Sequence, residues 1–183
     1  MQQNWGILVA AIFVMIFTEI ALLCCRKMAR KVPTNYILLL IFTLCETYLV
    51  GNICSYYALS QPGIVQVAGL GTSVITAACT LYAFTTKTDF TIMGGLIWLL
   101  SFSLMFLIVF TWIIGGIYNS FVNNAIIYLC IFLMGIILIC DTQLIVNEDR
   151  HSLSLDDYII AALIIYVDII TIFLYILALF GKK

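Results

Sequence analysis

The sequence predicts an all-α fold, a polytopic helical bundle set in a lipid bilayer, with a single transmembrane domain over residues 1–183. Three observations carry this. Of 183 residues, 64% are hydrophobic and 9% are charged, whereas a soluble domain carries about 25% charged residues. The chain therefore lacks the polar side chains to cover a water-facing surface. Its apolar residues gather into six runs, each near the roughly 20 residues that cross a hydrocarbon core. The polar stretches between them reach about 15 residues at most, short of the roughly 50 that an independent soluble domain needs. Backbone in lipid must satisfy its own hydrogen bonds, and runs of this length do so as helices.

The first run is Trp5–Cys25, interrupted by Glu19. It has no basic leader, so it reads as a spanning helix and not as a cleaved signal. The basic link RKMARKVP follows, and Pro33 opens a second span at about residues 35–57, which contains Glu46. The turn ALSQPG leads to a third span, about 64–84, rich in Gly, Ala, Ser and Thr. Small residues let helices approach closely in lipid, so this span is expected to pack inside the bundle. TTKTDFT links to the fourth, about 92–114, the most uniformly apolar and expected to face lipid. GGIYNSFVNN precedes the fifth, about 125–146, and NEDRHSLSLDD precedes the sixth, 158–180. Ser154 and Asp157 make a capping box, and Asp156 and Asp157 complement the dipole at the start of that last helix.

Composition also excludes function classes. A net charge of −1 with no long basic patch argues against nucleic acid. The seven Cys fit neither a disulfide framework nor a zinc site and read as small apolar fillers, with Cys24-Cys25 as a weak palmitoylation signal. No nucleophile–His arrangement, phosphate-cradling glycine loop or HExxH motif occurs, so no enzyme and no cofactor is expected. Short-loop Lys and Arg set orientation. Arg26, Lys27, Arg30 and Lys31 place the first loop in the cytosol, and Lys87 and Arg150 agree by alternation. Lys182-Lys183 disagrees, which leaves an exceptional tail or a last segment that dips in and returns.

Four acids lie inside or beside the apolar runs. Counted from the cytosolic ends, Glu19 lies about 10 Å deep, Asp141 about 12 Å, Asp168 about 16 Å and Glu46 about 20 Å, at 1.5 Å per residue. No basic residue shares that depth. A carboxylate in hydrocarbon costs several kcal/mol unless it is neutral, paired or wetted. Adjacent carboxyls resist ionising together, so Asp141 and Asp168, if they meet, titrate as one unit. Such an oxygen cluster is also the ligand type that Ca2+ prefers, which makes Asp141 and Asp168 candidate Ca2+ ligands. Blander readings stand beside these. Asp141 ends a helix at the headgroups, Glu46 bonds near Asn52 or Tyr48, Glu19 snorkels to Arg26 or Lys27, and His151 is a solvated loop residue.

Together these blocks resemble the transmembrane Bax inhibitor motif family, in its lifeguard and Golgi anti-apoptotic branches. The matching text covers almost the whole chain. It comprises the Cys24-Cys25 basic loop with Pro33, IFTLCETYLVGNICSYY, TTKTDFT, DTQLIV and HSLSLDDYIIAALIIYVDIITIFLYIL. The resemblance implies a bundle whose last helix is central. It also implies that Trp5–Cys25 corresponds to the family's second helix, with the first lacking here. It further implies a pH-sensitive Ca2+ leak channel that suppresses cell death, in the endoplasmic reticulum or Golgi or, alternatively, the plasma membrane. Its di-aspartyl pH sensor maps onto Asp141 and Asp168, and Glu46 matches an acid associated with the ion path. Glu19 is a further ion-path candidate without a motif match, and Arg26 is a candidate latch on the sensor. The expected partners are the bilayer, Ca2+ and protons, with cell-death regulators or other channels as protein partners.

Three alternatives remain. One is a non-conducting scaffold for death signalling, and another is a Ca2+/H+ exchanger. The third is an intramembrane aspartyl protease, which the absence of a GxGD context disfavours.

Overall fold

The computed structural model describes residues 5–113, 120–146 and 157–181; of Arg26 and of residues 110–113 and 120–121 it describes the backbone alone. The capping box at Ser154, together with Asp156, Glu148, Asp149, Arg150, His151 and Lys182-Lys183, lies outside the described residues. Among those described, every regular element is helical: α1 Trp5–Cys24, the single turn α2 Arg26–Ala29, α3 Thr34–Ser60, α4 Ile64–Thr85, a 3-10 turn Phe90–Met93, α5 Gly94–Ile113, α6 Ser120–Val146 and α7 Tyr158–Phe180. Six of them are long and apolar enough to cross a membrane. Large apolar side chains point outward on five of these helices: Phe17, Leu44, Leu70, Trp98 and Phe132 are 62–72% exposed. An apolar surface of that extent is stable only against lipid.

The described residues form two compact units. The first contains α1, α2, α3 and α7 as far as Ile164; the second contains α4, the 3-10 turn, α5, α6 and α7 from Ile165 onward. In the first, α1 lies along α3. Thr18, Ala21 and Leu22 make the buried stripe of α1, and Phe42 is the largest buried side chain of α3. In the second, α4 lies along α6, with Gly135 of α6 in contact range of the Cys79 sulfur. Gly71 of α4 likewise sits beside Ile176 of α7. The residues buried on α7 in this unit, Asp168, Ile172, Ile176 and Leu177, repeat mostly every fourth position and so share one helix face.

Several expectations are refined. α4 is not enclosed on all sides. Its small residues Ala68, Gly71, Thr72, Cys79 and Ala83 recur at helical spacing and make one packed stripe, while Leu70, Val74, Leu81 and Phe84 stay exposed. The fourth span begins with the 3-10 turn because Asp89 caps it, accepting from Thr91 N–H. The fifth begins at Ser120, earlier than the expected 125; two Asn in a helix cost less than about 1 kcal/mol each. Cys24 and Cys25 are exposed and are not fillers, whereas Cys130 and Cys140 are buried. α7 is unbroken over 23 residues, about 35 Å at helical rise, so it has the length of a crossing helix and no break at which to turn back. Gly63, at φ 90° before α4, holds a left-handed conformation that side chains with a Cβ disfavour.

Candidate functional site

α6 and α7 bring the two aspartates together. Asp141 follows Ile137 and Cys140 and precedes Leu144 on one face of α6, the i, i+3, i+4, i+7 stripe. Asp168 heads the buried stripe of α7. Their carboxyl groups lie within hydrogen-bonding reach of each other. Asp168 is 6% exposed, and its Oδ2 has no partner. The nearby hydroxyls do not serve the pair. Thr142 Oγ1 donates to Leu138 O at 2.7 Å and Thr171 Oγ1 to Val167 O at 2.7 Å. Among the described residues, no Lys or Arg forms an ion pair with either aspartate. Two carboxyls bond to each other only through a proton that one of them keeps, so the contact is proton-dependent by construction.

The same short segment anchors the loop before α5. Gln143 is buried; its Nε2 donates to Thr88 O at 3.0 Å and its Oε1 accepts from Phe90 N–H at 3.0 Å. Cys140 Sγ donates to Phe90 O at 3.5 Å. Gln143→Leu removes both side-chain bonds at once. It is expected to lower stability by about 2 kcal/mol, since each stranded backbone group costs roughly 1–3 kcal/mol. Thermal unfolding in detergent checks this, with Gln143→Glu, which keeps the acceptor, falling between the two.

The four acids resolve into two pairs. In the first unit Glu46 on α3 has Glu19 on α1 as its charged neighbour, and both are half-buried. Asn52 donates to Tyr48 O at 2.7 Å, so it does not satisfy Glu46 as the sequence suggested. Arg26 opens α2, but its side chain lies outside the described residues. Arg30 instead forms an ion pair among the described residues of this unit. Its Nε and Nη2 both donate, at 2.7 Å, to Oδ1 and Oδ2 of Asp157, which is 2% exposed. Asp157, read from sequence as a capping charge, is thus an ion-pair partner. Beside it Tyr158 O–H donates to the Tyr36 hydroxyl at 3.0 Å.

As for metals, no group of three or more His, Cys, Asp or Glu converges among the described residues. The aspartate pair offers four oxygens at most, fewer than the 6–8 ligands of a held Ca2+.

Sequence reading missed Gln143 and Arg30–Asp157. Gln143 gave a signal, a polar residue within an apolar run that needs a buried partner. The ion pair spans 127 positions and gave none.

The chain matches, over residues 1–183, the family described as inhibitor of apoptosis-promoting Bax1. It is 33% identical to protein lifeguard 3 of Homo sapiens over 187 residues, covering all of this chain and 58% of that protein. The Mus musculus protein lifeguard 3 matches at the same identity and coverage. LIFEGUARD 3 of Arabidopsis thaliana is 31% identical over 180 residues, covering 94% of this chain and 67% of that protein. The chain thus spans a little over half the length of the two mammalian relatives. With its match end to end and six helices of crossing length among the described residues, the chain belongs to the family of inhibitors of apoptosis-promoting Bax1 and is a multi-pass integral membrane protein.

Proposed function

We propose that this protein is a pH-sensitive, Ca2+-permeable leak channel of an intracellular membrane, endoplasmic reticulum or Golgi, that restrains cell death. The observation that carries the reading is the meeting of Asp141 with buried Asp168, with no basic partner among the described residues. A shared proton holds the carboxyls together. When it leaves, two like charges either separate or take up a cation from water. Ca2+ is the cargo of such a site, completing its shell with water as it passes. Glu46 and Glu19 are further ion-path candidates. The anti-apoptotic part rests on the family's description and on the named relatives, and cell-death regulators are the partners it implies.

The test uses purified protein in liposomes loaded with a Ca2+ dye. Ca2+ entry is expected to vary with pH, and in Asp141→Asn and Asp168→Asn the ratio of acid to neutral leak falls to unity. An unchanged pH profile in both variants would sink the sensor. No leak above protein-free liposomes at any pH would favour the scaffold, and a leak that requires an opposing proton gradient would favour the exchanger.

A further inference from the structure

Asp141 faces more than Asp168. It also lines a cleft of about 600 Å³ between α5 and α6, within the roughly 300–1,000 Å³ of small-molecule sites. One stripe of each helix forms the walls. Ile137, Cys140, Asp141 and Leu144 come from α6, and Gly94, Trp98, Ser101 and Met105 are among the residues from α5. The Gln143 bonds to Thr88 and Phe90 pin the helices together at the Asp141 end. The other wall is apolar and aromatic, with the rings of Trp98 and Phe102 stacked at 6.3 Å.

Most hydrogen-bond donors of the lining are used within the protein. Thr91 O–H donates to Asp89 Oδ1, Ser101 O–H to Ile97 O, Cys140 S–H to Phe90 O, and Gly94 N–H to Thr91 O. Each of these donors already has an acceptor within the protein; a further side-chain donor of the lining is the indole N–H of the exposed Trp98. What the cleft presents at its pinned end is the Asp141 carboxyl, with no Lys or Arg among its lining residues. An anionic headgroup finds no counter-charge there and meets a carboxyl of its own sign. A cation with N–H donors finds one, and a carboxylate beside hydrocarbon is stabilised by such a charge.

We propose that this cleft binds a cationic amphiphile, a protonated long-chain amine whose ammonium pairs with Asp141 and whose chain lies along Trp98, Phe102 and Met105. The ligand shares Asp141 with the ion path but does not require conduction. Its ammonium meets the same carboxyl that meets Asp168, so an occupied cleft competes with that contact.

The test is photolabelling of the full chain in phosphatidylcholine nanodiscs with dodecylamine carrying a diazirine in its chain, against the matching dodecanol. Labelled peptides are mapped by mass spectrometry. The amine is expected to mark residues 97–105 and 137–144, to be displaced by unlabelled dodecylamine, and to lose at least tenfold in yield in Asp141→Asn. Ser101→Phe, which fills the cleft from the opposite wall and leaves the carboxyl in place, is expected to lose labelling likewise. Equal labelling by amine and alcohol, or amine labelling that survives both substitutions, overturns the proposal and leaves an acyl-chain groove. Labelling on other helices overturns it as well. A protein that labels as expected yet leaks no Ca2+ keeps this site and removes the channel reading.

Discussion

Arg30→Ala is expected to lower the unfolding free energy by about 3 kcal/mol, among the largest single-residue effects in the first unit. The cause is the partner left behind. Asp157 is almost fully buried and takes both guanidinium bonds at 2.7 Å, so removing the arginine takes a two-pronged, charged partner from a buried carboxylate. The side chain of Arg30 is 40% exposed, which puts the effect at the low end of the roughly 3–5 kcal/mol range for broken buried pairs. Arg30→Lys keeps the charge but loses the two-pronged geometry and should recover part of the loss. Tyr158→Phe, which removes the neighbouring hydroxyl bond, should cost about 1 kcal/mol. Chemical unfolding in detergent measures all three. The double variant Arg30→Ala with Asp157→Ala should be less destabilised than the sum of its parts. A loss below about 1 kcal/mol for Arg30→Ala would mean that the pair is not the clamp its geometry describes.

Asp168→Asn is expected to act in the opposite direction, raising stability by about 1–2 kcal/mol. Asp168 holds a buried oxygen with no partner beside a second carboxyl. The pair must either keep a bridging proton at neutral pH or carry two adjacent like charges, and both cost free energy. The amide keeps a donor for Asp141 without needing a bridging proton. Residues retained despite such a cost are those where function and stability compete. Thermal unfolding at neutral pH decides this. A variant destabilised by more than about 1 kcal/mol would show that the carboxyl contact holds the fold together. Asp141→Asn should follow in the same direction with a smaller effect, because Asp141 is only half-buried.

Much of the architecture was legible because the bilayer enforces it. An apolar run of crossing length in lipid has few options besides a helix, so α1, α3, α4 and α7 start within a residue of where hydropathy places them. The starts of α5 and α6 were less legible. Asp89 capping a 3-10 turn and two tolerated Asn are local compromises that hydropathy does not register. The stripe on α4 was only half legible, since small residues say that something packs there but not how much of the helix is covered.

The aspartates divide along the same line. Composition and spacing alone marked Asp141 and Asp168, because an acid in an apolar run is anomalous whatever surrounds it. That their carboxyls touch, while Glu19 and Glu46 form a separate pair, is a matter of helix rotation, which hydropathy averages away. Gln143 and the Arg30–Asp157 pair belong to the same class.

The sequence by itself determined a six-span helical membrane protein and the acids that are costly within it, because the energy of polar groups in lipid depends on residue type and position along the chain. The tertiary structure decided which acids meet, which arginine is paired and which cleft Asp141 opens onto. Those depend on distances of a few ångströms between residues far apart in the chain, and no local pattern encodes them.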